Sequence, residues 1–137
     1  MSGVDTTPPR PPPPPPPAAL LLSRDLGLLA VVVRGCPPPA EVERHVDARA
    51  ALDWALQRQP PLAVVDDAVL LDSERGWFLD QLRRCVPDIR IIYVASRHEP
   101  AVERRMRGHG VVYYTAKPVD AQSLPRVVAQ LLRRLRG

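Results

Sequence analysis

The chain has 137 residues, 45% of them apolar, and few aromatics, which is a globular composition and the length of one ordinary domain. No run reaches the ~18–20 apolar residues that span a bilayer, and no basic start followed by an apolar stretch marks a secretory signal, so a cytoplasmic protein with no membrane contact is expected. The formal net charge of +4 comes from 18 arginines and one lysine, with no clustered basic and aromatic motif, so nucleic-acid binding is not expected.

Residues 1–17 carry nine prolines and few apolar side chains, and are expected to be a disordered leader ahead of a folded domain at 18–137. The unbroken run Pro11–Pro17 must adopt polyproline II, because φ is fixed and no N–H is available. It reads as a stiff tether or as a ligand for a proline-recognising groove. Residues 18–22 are uniformly apolar and fit a buried parallel strand. Residues 26–34 are ambiguous. A helix would align Leu26, Leu29, Ala30 and Val33, whereas Val31-Val32-Val33 is β-branched and favours a strand; a short helix is the preferred reading. Gly35 and Pro37–Pro39 stop it.

A short strand follows at 41–46. Asp47 can cap a helix over 48–59 with Ala51, Leu52, Ala55 and Leu56 inward. Pro60-Pro61 breaks that helix, and 62–65 is a buried strand with Asp66-Asp67 at its end. Residues 76–85 form a helix with Trp77, Leu79 or Asp80, and Leu82 at helical spacing. Another buried strand spans 89–94, and Pro100 fits the first turn of a helix ending at Arg107. A fifth strand covers 111–115. An amphipathic helix over 123–135 aligns Leu124, Val127, Val128, Leu131 and Leu135. Cys36 and Cys85 are expected as reduced thiols.

Strands alternating with helices require crossovers, and hence a parallel sheet covered on both faces. Five such units make a doubly wound α/β domain. Sites in open sheets of this type lie beyond the carboxyl ends of the strands. That rule selects Ser23-Arg24-Asp25, Asp66-Asp67, Ala95-Ser96 and Lys117.

Those strand ends carry a family resemblance. Leu62-Ala63-Val64-Val65-Asp66 resembles the apolar run ending in the phosphoacceptor of two-component response-regulator receiver domains. Ile91-Ile92-Tyr93-Val94-Ala95-Ser96 and the stretch from Gly110 to Lys117-Pro118 resemble that family's fourth and fifth strands. The resemblance spans residues 18–135 and implies a flavodoxin-like (βα)5 fold with a five-stranded parallel sheet. It also implies that Asp66 is the phosphoacceptor, with Asp67 as second candidate, and that the chain's one lysine, Lys117, contacts the phosphoryl group as a compact point charge. Tyr114 falls at the family's switch aromatic, and a half-buried aromatic on an edge strand is an equal reading of it.

Three positions depart from the pattern. The family's Mg²⁺-binding acidic pair falls at Ser23-Arg24, neither of which is acidic, so Asp25 and Asp66 are the carboxylates left for a metal. The hydroxyl residue of strand four is replaced by Ala95, and the neighbouring Ser96 should point the opposite way if the strand continues. Residues 68–75 lack the family's usual Met-Pro. Losing a hydrogen bond to a charged group costs roughly 1.5–3 kcal/mol, and rates fall tenfold per ~1.4 kcal/mol. Phosphorylation should therefore be slowed by orders of magnitude. Arg24, a cation at a normally anionic position, could pair with Asp66 or extend into solvent.

His45, His98 and His109 show no metal-ligand spacing and read as surface residues. No Ser/His/Asp arrangement, Cys-x-x-Cys pair or glycine-rich phosphate loop appears, so no enzyme activity and no cofactor beyond Mg²⁺ at an incomplete site is expected. Arginines 97, 104, 105, 107, 126, 133, 134 and 136 fall on the fourth and fifth helices. In the resembling family that face binds partners or forms dimers. A solvated charged surface is the plainer reading here, and an acidic protein partner, or a homodimer, the sharper one. The expected function is a stand-alone, degenerate receiver acting by protein–protein contact. The alternatives are an active phosphoacceptor serving a histidine kinase through Asp25, Asp66 and Lys117, and a DNA-associated regulator using its arginines.

Overall fold

The computed structural model describes residues 8–13 and 16–134. Five strands, β1 (Ala18–Leu22), β2 (Glu41–His45), β3 (Leu62–Asp66), β4 (Arg90–Ala95) and β5 (Val111–Ala116), alternate with five helices, α1 (Leu26–Gly35), α2 (Ala48–Arg58), α3 (Arg75–Cys85), α4 (Pro100–Gly108) and α5 (Ser123–Arg134). The sheet is parallel throughout, in the order β2-β1-β3-β4-β5. This is the doubly wound flavodoxin-like arrangement that the alternation of elements predicts. No helix among the described residues is long and apolar enough to cross a membrane.

Burial on both faces explains the composition of the central strands. Successive side chains of a strand point to opposite faces. Leu20, Leu22, Ala63, Val65, Ile91 and Tyr93 face one layer, where α2, α3 and α4 contribute Ala51, Phe78 and Met106. Ala19, Leu21, Leu62, Val64, Ile92 and Val94 face the other, against Leu28 and Val32 of α1 and Leu124 and Val128 of α5. β2 is an edge strand, and only its Val42 joins the core, which is why Glu41-Val42-Glu43-Arg44-His45 tolerates three charges.

The strand and helix positions follow the sequence reading, with ends shifted by one or two residues. Residues 26–34 are helical, as preferred, but the buried face differs. Leu28, Val31, Val32 and Gly35 face inward, while Leu26 is 64% and Val33 49% exposed. The segment is apolar nearly all round, so periodicity does not fix its phase. The Asp25 carboxylate does, by accepting the Leu28 N–H as N-cap. In α2, Ala51 and Ala55 meet the sheet and Leu56 is 59% exposed rather than inward, because the two alanines bring the helix close to its neighbours. In α3, Phe78, Leu79 and Leu82 are buried, and Trp77 lies outward. His98 is exposed as expected, whereas His45 and His109 are partly covered, His45 by Trp54 and His109 by a contact with Asp80. Both cysteines are free, and burial pushes the Cys36 thiol up to about 11, which leaves it protonated and inert.

Residues 8–13 of the leader are exposed and lack regular secondary structure. The expectations for 1–7, 14–15 and 135–137 lie outside the described residues.

Gly35 marks the closest approach of α1 to α5. A Cβ there would stand 2.6 Å from the Pro125 carbonyl oxygen and 2.8 Å from Val128 Cβ. Gly35→Ala is expected to destabilise the fold by about 1–3 kcal/mol through overpacking. Gly108→Ala, which meets nothing within 4 Å, should be neutral or stabilising by up to about 1 kcal/mol. Urea midpoints of the two variants check the contrast.

Candidate functional site

Parallel strands end on a common rim, and here the rim collects the polar residues that the sheet interior excludes. Register places the end of β1 beside β3, and β3 beside β4. Ser23 and Asp66, at 0% and 1% exposure, therefore meet at the centre of the rim. Lys117 follows β5, its backbone N–H donating to the Ala95 carbonyl at 2.9 Å, and its side chain reaches across β4 to β3.

The Asp66 carboxylate accepts three hydrogen bonds, two of them on one oxygen. Oδ2 accepts from Ser23 Oγ at 2.6 Å and from Lys117 Nζ at 2.8 Å. Oδ1 accepts from the Ala68 N–H at 3.0 Å. Ser23 Oγ in turn accepts the Asp25 N–H at 2.9 Å, which fixes its own proton toward Asp66. Lys117 Nζ also lies 3.4 Å from Asp25 Oδ2. Burial alone would lower the Lys117 pKa, but the Asp66 and Asp25 carboxylates outweigh it and hold the ammonium above its usual value. Asp25 is pulled below the usual carboxylate range, first by the Leu28 N–H and then, against a small burial effect, by Lys117.

Arg24 does not pair with Asp66. It is exposed, as α1 begins immediately beyond Asp25 and turns the Arg24 side chain into solvent. The cation at the carboxylate is Lys117. For a divalent cation the donor set is incomplete: Mg²⁺ requires oxygen ligands in near-octahedral order, the carboxylates here are Asp25 and Asp66, a neutral hydroxyl stands at Ser23, and the Lys117 ammonium lies between the two carboxylates. No group of three or more His, Cys, Asp or Glu side chains among the described residues could hold a metal.

Strand alternation separates the two neighbouring aspartates. Asp67 points away from Lys117 into the layer of Tyr93, where it is 3% exposed. Its Oδ2 accepts from Tyr93 Oη at 2.9 Å, and its Oδ1 from the Ser96 N–H at 2.8 Å and Ser96 Oγ at 2.7 Å. Arg75 lies 3.7 Å away. β4 stops at Ala95, so Ser96 sits in the connection to α4, and its hydroxyl serves Asp67 rather than Asp66. Burial first, then the Asp67 charge, holds the Tyr93 phenol far above its usual pKa. Tyr114 is buried and stacks on Tyr93 with ring centroids 5.8 Å apart.

The Asp67 cluster is the part that sequence reasoning missed. One signal for it was available. A tyrosine within an otherwise aliphatic buried strand needs a partner for its hydroxyl, and Asp67 lies on the same face of the neighbouring strand.

Lys117→Met is expected to strand the Asp66 charge. Lys117 is 25% exposed, so the loss should be about 1.5–3 kcal/mol, as for a hydrogen bond to a charged group, rather than the ~3–5 kcal/mol of a fully buried pair. The folded-state pKa of Lys117 is raised, so its contribution is complete below the ordinary value of 10.5 and is lost as pH rises through the raised value. Urea unfolding of wild type and Lys117→Met should show a constant gap from neutral pH to 10.5 that closes above it.

No protein-family model matches the sequence, and no curated protein matches it significantly. Solved structures do match. A response regulator from Thermotoga maritima superposes with a TM-score of 0.75 at 15% identity, covering 86% of this chain and 98% of that one. A CheY-like response regulator receiver domain protein from Methanospirillum hungatei gives 0.71 at 20% identity, covering 88% and 98%. An orphan response regulator of Helicobacter pylori gives 0.70 at 18% identity, covering 90% and 100%. At these identities the likeness establishes architecture, and the chain has the receiver-domain fold of response regulators.

Proposed function

We propose that the chain is a signalling module of two-component type that acts by binding other proteins, with phosphorylation at Asp66 impaired. The observation that carries this reading is the pair of donors on one oxygen of the Asp66 carboxylate. Asp66 Oδ2 already receives Ser23 and Lys117, at 2.6 and 2.8 Å. In-line transfer to Asp66 needs a carboxylate oxygen as nucleophile and a cation to neutralise charge on both reacting groups, and hydrogen bonds from Ser23 and Lys117 draw charge from that carboxylate. Ser23, where the resembling family has an acid, supplies a proton donor instead of a ligand.

The same contacts give the module a defined shape without modification. Lys117 ties β5 to β3 through Asp66, and Asp67 ties the β4–α4 connection to β3 through Ser96. The surface of α4 and α5 is thereby presented in one arrangement. Arg104, Arg105, Arg107, Arg126 and Arg133 are exposed on these helices, which suits an acidic protein surface and would speed its association; Arg97, expected on the fourth helix, is exposed in the connection before it. Arg134 and Arg136, on the same expected face, lie outside the residues with described side chains.

A second reading keeps Asp66 as an active phosphoacceptor serving a histidine kinase. The 2.8 Å contact with Lys117 favours it, because an ammonium at that distance would also reach a phosphoryl oxygen.

Titration with Mg²⁺ and labelling by a small phosphodonor separate the two. Wild type is expected to show no saturable Mg²⁺ effect. Labelling should be slower by about two orders of magnitude than in Ser23→Asp, which restores a carboxylate, corresponding to ~3 kcal/mol. Rapid Mg²⁺-dependent labelling of wild type that disappears in Asp66→Asn would establish the active reading.

A further inference from the structure

Large apolar side chains left in solvent gather on one side of the molecule. Leu56 of α2 is 59% exposed, and Val46, just before that helix, is 42% exposed. Trp77, in the first turn of α3, is 45% exposed. α2 and α3 pack side by side, and a groove of about 360 Å³ between them is lined by Arg49, Leu52, Asp53 and Trp77. Arg49, Leu52, Asp53 and Leu56 recur at helical spacing and form one stripe along α2. Ala51 and Ala55 hold the sheet side of the helix, so the stripe lies away from the sheet.

The charges of this stripe are unused. Arg49 and Asp53 are exposed one turn apart, and among the described residues neither forms an ion pair with the other or with any other group. A base placed N-terminal to an acid is the weaker orientation for such a pair. One base and one acid on a single face are, however, self-complementary about a two-fold axis. When two copies of α2 lie antiparallel with Arg49 opposite Asp53 of the second copy, the reciprocal pair forms as well. The same register sets Leu56 opposite Val46 of the second copy, again twice. One alignment thus matches both the free charges and the exposed apolar positions that bracket them.

We propose that α2, with Trp77 of α3, is the contact face of a symmetric dimer of this chain. An exposed apolar patch rimmed by polar groups marks a protein contact, and a tryptophan beside the seam supplies the kind of anchor on which such contacts depend. The face uses no residue of α4 or α5, so the dimer displays the arginine-rich surface of those helices twice. A partner with repeated acidic surfaces then binds both at once and gains avidity without any new contact. The proposal rests on the α2 surface alone and is independent of the state of Asp66.

Sedimentation equilibrium of the full chain from about 1 μM to 1 mM tests it. A monomer–dimer equilibrium is expected, weakened about tenfold or more by Leu56→Glu. Arg49→Asp and Asp53→Arg each set like charges against one another and should weaken it to a similar degree. The double variant, and an equimolar mixture of the two single variants, should recover the dimer. These side chains are exposed, so circular dichroism of every variant should match wild type. Arg105→Glu, on α4, should leave association unchanged. A chain that stays monomeric throughout the range overturns the proposal. So does a dimer indifferent to Leu56→Glu, or one that the double charge reversal fails to recover. A dimer broken by Arg105→Glu assigns association to the other face, and one dispersed by a peptide of residues 8–13 assigns the groove to the proline-rich leader; either result overturns the proposal too.

Discussion

Lys117 Nζ lies between two carboxylates, 2.8 Å from Asp66 and 3.4 Å from Asp25, and the order of the rim follows from it. Asp66 is almost fully buried, and an ionised carboxylate cannot stay buried without compensation. Lys117 and the Ser23 hydroxyl provide that compensation. They also fix the relative positions of the ends of β1, β3 and β5. The chain otherwise uses arginine for positive charge. A compact ammonium reaches a single buried oxygen between strands where a planar guanidinium, with its five divergent donors, would not fit as readily.

The Asp66-Asp67 pair shows how period-two alternation turns a sequence neighbour into a spatial stranger. One residue apart, the two carboxylates serve opposite sides of the sheet end. Asp66 belongs to the group with Ser23 and Lys117, whereas Asp67 collects Tyr93, Ser96 and Arg75. The second cluster fixes the start of the β4–α4 connection. Its Tyr93 stacks on Tyr114, so the aromatic on the edge strand is held through a chain of contacts that ends at Asp67.

The fold was legible because buried parallel strands are apolar on both faces. Leu62-Ala63-Val64-Val65 and Ile91-Ile92 could hardly be placed elsewhere in a chain punctuated by Pro60-Pro61 and Pro87. The rim was legible for the same reason, since Asp66 and Lys117 follow such runs at matching ends. Helix phase was less so. In α1 nearly every position is apolar, and the N-cap bond from Asp25 to Leu28, rather than periodicity, chose the inward face. Charge alone says nothing about direction, so the sequence leaves Arg24 open between pairing with Asp66 and reaching solvent; it reaches solvent because α1 begins too soon after it for that side chain to turn back. The Asp67 cluster stayed hidden because it depends on β4 ending at Ala95, and strand ends are poorly specified by sequence.

The sheet has two open borders, and their chemistry differs. β2 presents Glu41, Glu43 and Arg44, exposed charges that an approaching backbone would have to strip of water. β5 reads Val111-Val112-Tyr113-Tyr114-Thr115-Ala116, without a charge and with Val112 45% exposed. Its β-branched and aromatic residues are those that favour extended pairing. Intermolecular strand addition, whether as assembly or as aggregation from a partly opened state, is therefore directed to the β5 border and resisted at the other.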